Sequence, residues 1–280
     1  MTSPTTTSLR APVAVRLGEA GAPRTACVLA PVMARWDRGA FFEPVAEALM
    51  TTGHRVTVYD TLSLLRDGDD LAALADRWAG VLRAEEPDVL VGNALGGAVV
   101  QYLLDRPWTH RADVVLLSSP TVADGVLDAT LERIAAAVAE RGTAAALDLL
   151  HEVVRGPADP APVPAPAGSR DTSDSAPDTP DDAPDIADDP LHGWRLATGL
   201  RLLHRADVRS RVEAFPGRLL HVYGTESNLV GEQHLATGPG HRGVGIPGAG
   251  MRPHADQPEA TRRAVAAFLA PQQTKRIHDQ

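Results

Sequence analysis

The segment DVLVGNALGGAVVQYLLDRP, residues 88–107, contains the clearest fold signal in the chain. It begins with a short apolar run at residues 89–91, which is typical of a buried strand. A glycine-flanked turn follows. From Ala98 to Leu104 the pattern predicts a helix that ends before Pro107, because proline disfavours helical geometry in the residue before it. A strand, a sharp turn and a helix in direct succession predict one unit of a layered α/β fold.

The turn has the form of a nucleophile elbow, G-x-S-x-G, except at its central position. Gly92 and Gly96 hold the flanking places, and Ala94 stands where an elbow displays its nucleophile. Neither neighbour of Ala94 could replace the missing nucleophile, since Asn93 and Leu95 have no nucleophilic side chain. The sequence therefore keeps the turn without the hydroxyl that the turn usually presents.

A chain of 280 residues can bury a large core as one α/β domain or divide into two smaller ones. No apolar run approaches the ~18 residues that a membrane span needs, and residues 1–10 lack the apolar segment of a secretory signal. Cys27 is the only cysteine, so an intramolecular disulfide and a cysteine-rich metal site are excluded, and its apolar neighbours predict a core position. These features predict a cytoplasmic protein without membrane association.

The formal charge of −9 is concentrated in one segment. Residues 157–190 contain nine Asp, one Arg and nine Pro, a net charge of −8. Such a composition cannot bury enough apolar surface to order the backbone and predicts a disordered insertion. The remainder is close to neutral and has no basic stripe, so nucleic acid is not an expected partner.

Strand and helix patterns alternate on both sides of an all-helical interruption. Strands are predicted at residues 13–16, 26–30, 55–59, 89–91, 113–117, 218–223 and 243–246, and helices at 41–52, 71–84, 126–154 (broken near Gly142), 192–206 and 257–269. We expect a doubly wound, mostly parallel sheet formed by residues 11–121 and 207–270. Residues 122–206 would be a helical cap that contains the 157–190 insertion, with a disordered N-terminus at 1–10 and a loose tail at 271–280.

Ligands of such sheets bind at the carboxyl ends of the strands. This rule predicts that one pocket is surrounded by residues 32–37, 61–65, 93–95, 118–121, 226–229 and 251–254.

Four segments, in this order, resemble the α/β-hydrolase fold superfamily, of the capped small-esterase and lactonase type. They are HRVTVYD (54–60), VGNALGGAVV (91–100), LHRADVRSRVEAFPGRLLHVYGTES (203–227) and IPGAGMRPHADQP (246–258). The resemblance extends over residues 12–270. It implies an α/β-hydrolase fold whose cap is inserted after the sixth strand of the usual scheme.

The same resemblance implies that the catalytic triad is absent. It aligns Ala94 with the nucleophile, Met251 with the histidine and Ser227 with the acid, while Glu226 stands one residue before the acid position. Acyl transfer needs a nucleophile and a base that activates it, and neither a methyl group nor a thioether supplies them. What the resemblance leaves is an oxyanion hole formed by backbone N–H groups, those of Leu95 and of Val32 or Met33.

Five further side chains have a functional and a structural interpretation. Glu226 is a candidate general base or a solvated loop carboxylate. His254 is a candidate acid or base, or a histidine packed near the pocket. Asn93 either binds a ligand carbonyl or tolerates the strained turn. Ser118 is a candidate hydroxyl donor, and Trp36 either lines an apolar surface or belongs to the core. None of the histidines has metal-ligand spacing.

Our leading hypothesis is a cofactor-independent enzyme that promotes elimination, cyclisation or isomerisation of an apolar, carbonyl-bearing small molecule. The composition resembles that of high-GC bacteria, in which such relatives act in specialised metabolism. Glu226 and His254 are the predicted catalytic residues. The predicted substrate-binding residues are Val32, Met33, Trp36, Asn93, Ala94, Leu95, Ser118, Ser227 and Met251. The alternatives are a non-catalytic ligand- or partner-binding protein and a hydrolase with its nucleophile relocated to Ser118 or Ser227. No metal is expected, and the oligomeric state is left open.

Overall fold

The computed structural model describes residues 11–155 and 189–270. The disorder predicted for residues 1–10, for 271–280 and for nearly all of 157–190 falls outside this part of the chain. Asp189 and Pro190, the last two residues of the predicted insertion, are described. They form the N-cap and the first residue of a helix, because the Asp189 side chain accepts a hydrogen bond from the Leu191 N–H at 2.8 Å.

A seven-stranded sheet forms the centre of the described structure. Its strands are β1 (Ala14–Leu17), β2 (Arg24–Leu29), β3 (His54–Tyr59), β4 (Val89–Asn93), β5 (Asp113–Leu117), β6 (Leu219–Gly224) and β7 (His241–Ile246). Their spatial order is β1-β3-β2-β4-β5-β6-β7. β1 pairs antiparallel with β3 and every other pair is parallel, so the prediction of a mostly parallel sheet is confirmed.

Helices cover both faces of the sheet. They are α1 (Glu43–Thr51), α2 (Leu71–Glu85), α3 (Leu95–Tyr102), α4 (Gly125–Arg141), α5 (Thr143–Val154), α6 (Pro190–Arg201), α7 (Arg209–Ala214), α8 (Pro253–Asp256) and α9 (Pro258–Leu269). The pair α1 and α9 packs on one face and the pair α2 and α3 on the other. In the described residues, no helix combines the length and the apolar character needed to cross a membrane.

The sheet separates two apolar layers because side chains alternate between its faces. Val28 belongs to the layer with Leu49 of α1 and Phe268 of α9. Its neighbour Leu29 belongs to the layer with Trp78 of α2. Cys27 is fully buried, which confirms the predicted core position, and burial raises the pKa of its thiol to about 12.

The turn between β4 and α3 is packed too closely for side chains at its glycines. A Cβ at Gly96 would lie 2.1 Å from the carbonyl oxygen of Leu29 in β2. One at Gly92 would lie 2.4 Å from the Cα of Gly97, and one at Gly97 would lie 1.7 Å from the Oγ of Ser119. Helix α3 therefore starts directly against β2 and the end of β5, a position that only glycine permits here.

Four helices, α4 to α7, lie between β5 and β6 in the chain, and the first three of them form the cap. The break between α4 and α5 falls at Gly142, whose φ of 88° is in the left-handed region, so the predicted break is confirmed. A Cβ at Gly193 of α6 would lie 2.6 Å from the Oγ1 of Thr143 at the start of α5. The cap is therefore a packed unit, and Leu131 and Leu200 of its helices share an apolar cluster with Trp78 of the core.

Candidate ligand-binding site

A cavity of about 390 Å³ lies at the carboxyl ends of the strands, between the sheet and the cap. This volume is in the range of small-molecule sites. The core side of its lining comes from residues 31–35, Phe41, Asn93, Ala94, Pro120, Leu229, Val230, Met251 and Arg252. The prediction that residues 61–65 surround the pocket is wrong. That segment forms a short 3₁₀ helix under α2, where the Thr61 carbonyl accepts a hydrogen bond from the Trp78 indole N–H at 3.0 Å.

Five of the predicted substrate-binding residues meet in this lining: Val32, Met33, Asn93, Ala94 and Met251. They come from the loops that follow β2 and β7, and from the last residue of β4 with the turn after it. Parallel strands bring these loops to the same edge of the sheet, which is why residues far apart in sequence line one cavity.

The backbone at Ala94 is held in an unusual conformation, with φ 45° and ψ −111°. Its N–H donates to the carbonyl oxygen of Leu117 at 3.2 Å, and the Asn93 side-chain amide donates to the same oxygen at 2.7 Å. For a residue with a Cβ, such a conformation costs of order 1–3 kcal/mol. The packing of α3 and these two hydrogen bonds therefore hold the turn in place.

Backbone donors are available beside this turn. Leu95 is the first residue of α3, so its N–H has no acceptor within the helix, and its side chain is fully buried in the core. The N–H groups of Val32 and Met33 donate to no acceptor among the residues that the structure describes. A Cβ at Gly96 would also lie 2.6 Å from the Ala30 carbonyl oxygen, which shows how near the start of α3 is to the loop after β2.

Met251 and Ser227 are in contact at the positions that the resemblance assigns to a base and an acid. The Ser227 hydroxyl lies 3.8 Å from the Met251 sulfur. The same oxygen accepts hydrogen bonds from the N–H groups of Leu229 at 3.3 Å and Val230 at 3.1 Å. A thioether is a weak acceptor that does not take a proton, so this pair packs together without acid–base chemistry.

Three other predicted residues lie outside the lining. Glu226 is exposed, and its N–H donates to the Ala249 carbonyl at 3.0 Å. Ser118 is buried with φ 42°, and its hydroxyl has no partner among the described residues. Trp36 is half-buried and packs on the apolar layer of α1 and α9.

His254 is fully buried beside the cavity, behind Phe41. Its ring lies edge-on to Phe41, with centroids 4.4 Å apart, and stacks on Phe42 at 5.6 Å. Burial, and to a smaller extent the nearby Arg252 charge, lower the pKa of His254 to about 4. Neither ring nitrogen forms a hydrogen bond of normal geometry in the described part of the chain, although the Phe41 backbone offsets some of the pKa shift.

The cap side of the cavity was missed by sequence reasoning. It consists of Leu127 and Leu131 of α4, Leu147, Leu150, His151 and Val154 of α5, Leu200 of α6, and Leu203, two residues after α6 ends. The signal in the sequence was the spacing within residues 147–154, which puts the four α5 side chains on one helix face. The lining has no Ser, Thr, Cys, Asp or Glu among the described residues, and no group of three potential metal ligands occurs in them.

An ion pair joins the cap to the core behind this cavity. Nη2 of Arg195, in α6, donates to both carboxylate oxygens of Asp60 at 2.8 and 2.9 Å. Its Nε donates to the Met33 carbonyl at 3.4 Å, and Asp60 also caps the following turn through the Leu62 N–H. The side chains are only 12% and 4% exposed, so the charges are mostly shielded from water.

We expect Arg195→Met to lower the free energy of unfolding by about 3 kcal/mol, because it leaves the buried Asp60 carboxylate without its counter-charge. Arg201→Met is the matched control on the same helix. Its partner Glu132 is 2.8 Å away, but both side chains are nearly half exposed, so a loss below about 1 kcal/mol is expected. Denaturant unfolding measures the loss of unfolding free energy in both variants. Equal losses in the two variants would contradict the importance of the buried pair.

The acid stability of the protein should depend on His254. Between pH ~6.5, the ordinary histidine pKa, and about 4, the unfolded chain binds a proton at this residue and the folded chain does not. The free energy of unfolding should therefore fall as the pH falls through this window. In the His254→Phe variant, the slope of the unfolding free energy against pH should be smaller, by the amount that corresponds to about one bound proton.

Unfolding curves recorded from pH 8 to pH 4 measure this effect. The values above pH ~7.5, where neither form is protonated, give the packing cost of His254→Phe separately. An unchanged slope would mean that His254 does not resist protonation in the folded state.

No protein-family model and no curated protein sequence matches the chain. Its structure is similar to a hydrolase from Pseudomonas aeruginosa PA01 (TM-score 0.69, 20% identity, 92% of this chain and 94% of that one). A thermophilic esterase from Thermogutta terrifontis is similar with a TM-score of 0.67 and 20% identity, over 92% of this chain and 92% of that one. A bromoperoxidase from Bacillus anthracis is similar with a TM-score of 0.65 and 19% identity, over 92% of this chain and 95% of that one. With the sheet order and the inserted cap, these similarities show that the chain has the α/β-hydrolase fold.

Proposed function

We propose that the chain binds a largely apolar, carbonyl-bearing small molecule in the cavity under its cap and does not hydrolyse it through an acyl-enzyme. One observation carries this proposal. The cavity lies where an α/β sheet binds its ligands, yet no hydroxyl, thiol or carboxylate side chain lines it in the described residues. Covalent acyl transfer needs a nucleophile and a base in contact with the substrate.

The three residues at the triad positions support the same conclusion. Ala94 offers a methyl group at the turn, and Met251 lines the cavity where a base would stand. The Ser227 hydroxyl is engaged with two backbone N–H groups and the Met251 sulfur. Relocation of the nucleophile gains no support, because Ser118 and Ser227 both lie outside the lining.

The backbone donors and the aliphatic cap residues favour a ligand that has a carbonyl group and an apolar body. The N–H groups of Leu95 and of Val32 or Met33 would bind a carbonyl oxygen, as in an oxyanion hole, and they do not depend on a serine. Seven aliphatic side chains of the cap face the same cavity and favour an apolar body.

A second candidate function is a non-hydrolytic step that transfers a proton, such as elimination, cyclisation or isomerisation. His151 favours it, because its imidazole lines the cavity from α5 and histidine is the usual acid–base group near neutral pH. In this version His151 takes the role that the sequence suggested for Glu226 or His254, which lie outside the lining. The hydrolase, the esterase and the bromoperoxidase of similar structure do not decide between these functions, since one fold supports many reactions.

A fluorophosphonate probe tests the absence of an activated serine. After long incubation, intact-mass analysis of the folded chain should show no adduct. Ala94→Ser alone should react slowly, because Met251 cannot activate the new hydroxyl. Combining it with Met251→His and Ser227→Asp should speed labelling by at least about 100-fold, the usual contribution of a general base. A stoichiometric adduct on the unmodified chain would overturn the proposal.

Ligand binding is tested by calorimetric titration with 2-octanone and 2-decanone. Each added methylene should tighten binding about fourfold while the cavity still has room. Leu150→Gln should weaken binding of 2-decanone about tenfold or more, because it replaces apolar lining with an amide. Leu149→Gln is the matched control, since Leu149 is the neighbouring residue of α5 and lies outside the lining. No binding, or equal losses in the two variants, would contradict the site.

A further inference from the structure

We propose that the polar group of the ligand is a carboxylate, so that the cavity takes an apolar monocarboxylate. This inference rests on the proposed function and specifies the ligand class of the same site. It starts from the ionisable side chains of the lining. They are Arg35, His151 and Arg252, all basic, and none of the described lining residues is acidic.

Two of these basic side chains have no partner of their own in the described residues. The side chains of Arg35 and His151 form no hydrogen bond or ion pair there. Arg252 lies 3.6 Å from Asp256, so its charge is partly compensated and the inference does not depend on it. An anionic ligand would supply the missing partner for Arg35, and a guanidinium suits the planar geometry of a carboxylate.

Exposure differs between the basic lining residues and the most buried aliphatic ones. Arg35 and His151 are exposed, whereas Leu131 and Leu200 are each only 3% exposed although they line the cavity. A ligand with a charged head and an apolar body matches this difference. A second charge on the body would have to enter the aliphatic part, where nothing replaces its lost hydration.

The charge of Arg35 and one of the candidate backbone donors come from the same loop. Arg35 follows Met33 by two residues in the loop after β2, and both line the cavity. Helix α3 starts at Leu95 beside this loop, and the positive end of its dipole also favours an anion. One carboxylate therefore satisfies both features, because an oxygen accepts from backbone N–H groups and the charge pairs with Arg35.

The test compares two ligands of equal carbon number, decanoate and 2-decanone, by calorimetric titration of the full chain. We expect decanoate to bind about fivefold or more tightly than the ketone near pH 7, and this preference should shrink at high salt. Arg35→Met combined with His151→Leu should abolish the preference by weakening decanoate binding, because it removes the two basic side chains that lack a partner in the described residues. Arg133→Met is the matched control, because Arg133 is an exposed cap residue outside the lining.

The outcomes separate this inference from the proposed function. Equal affinity for decanoate and 2-decanone, or a preference that survives the double variant, would overturn the carboxylate assignment and leave the proposed function intact. Binding of neither ligand would overturn the proposed function, and the carboxylate assignment would fail with it.

Discussion

The start of α3 packs directly against the end of β2, and this contact determines the geometry of the site. Only a glycine at position 96 lets the helix backbone approach the Leu29 carbonyl, where a Cβ would lie 2.1 Å away. This approach fixes the strained turn at Ala94 and sets the first N–H groups of α3 beside the loop after β2. None of these effects requires a hydroxyl at position 94. The turn thus has a structural function that is independent of any nucleophile.

A second contact fixes the cap side of the cavity, its roof, relative to the core side, its floor. Arg195 of the cap pairs with Asp60 at the end of β3 and also donates to the carbonyl of Met33. The Met33 peptide therefore belongs to the segment that lines the floor and is also held by a cap side chain. Burying these charges costs free energy, which the geometry of the pair has to offset. Such a pair is better suited to specifying one position of the cap than to adding stability.

The sequence predicted those features that local pattern determines. Strand–helix alternation gave the mostly parallel sheet, and the elbow and the loops after β2 and β7 gave five lining residues. The direction in which a side chain points could not be predicted from the sequence pattern. His254 is three residues after Met251, but α8 begins at Pro253 and turns the imidazole into the aromatic pair of Phe41 and Phe42. Arg195 and Asp60 are 135 residues apart in the sequence, and no local pattern predicts a contact over this separation.

The proposed absence of the triad also gives a physical account of what replaces it. A histidine at position 251 with no nucleophile to bind would leave a ring nitrogen without a partner at the floor of an aliphatic cavity. Met251 fills this place with a flexible apolar chain that contacts Ser227 through its sulfur. At position 227 the serine hydroxyl adds no charge to the site, and it is satisfied by the Leu229 and Val230 N–H groups. With the methyl group of Ala94 at the turn, a thioether at position 251 and a satisfied hydroxyl at position 227 give a floor that suits an apolar ligand.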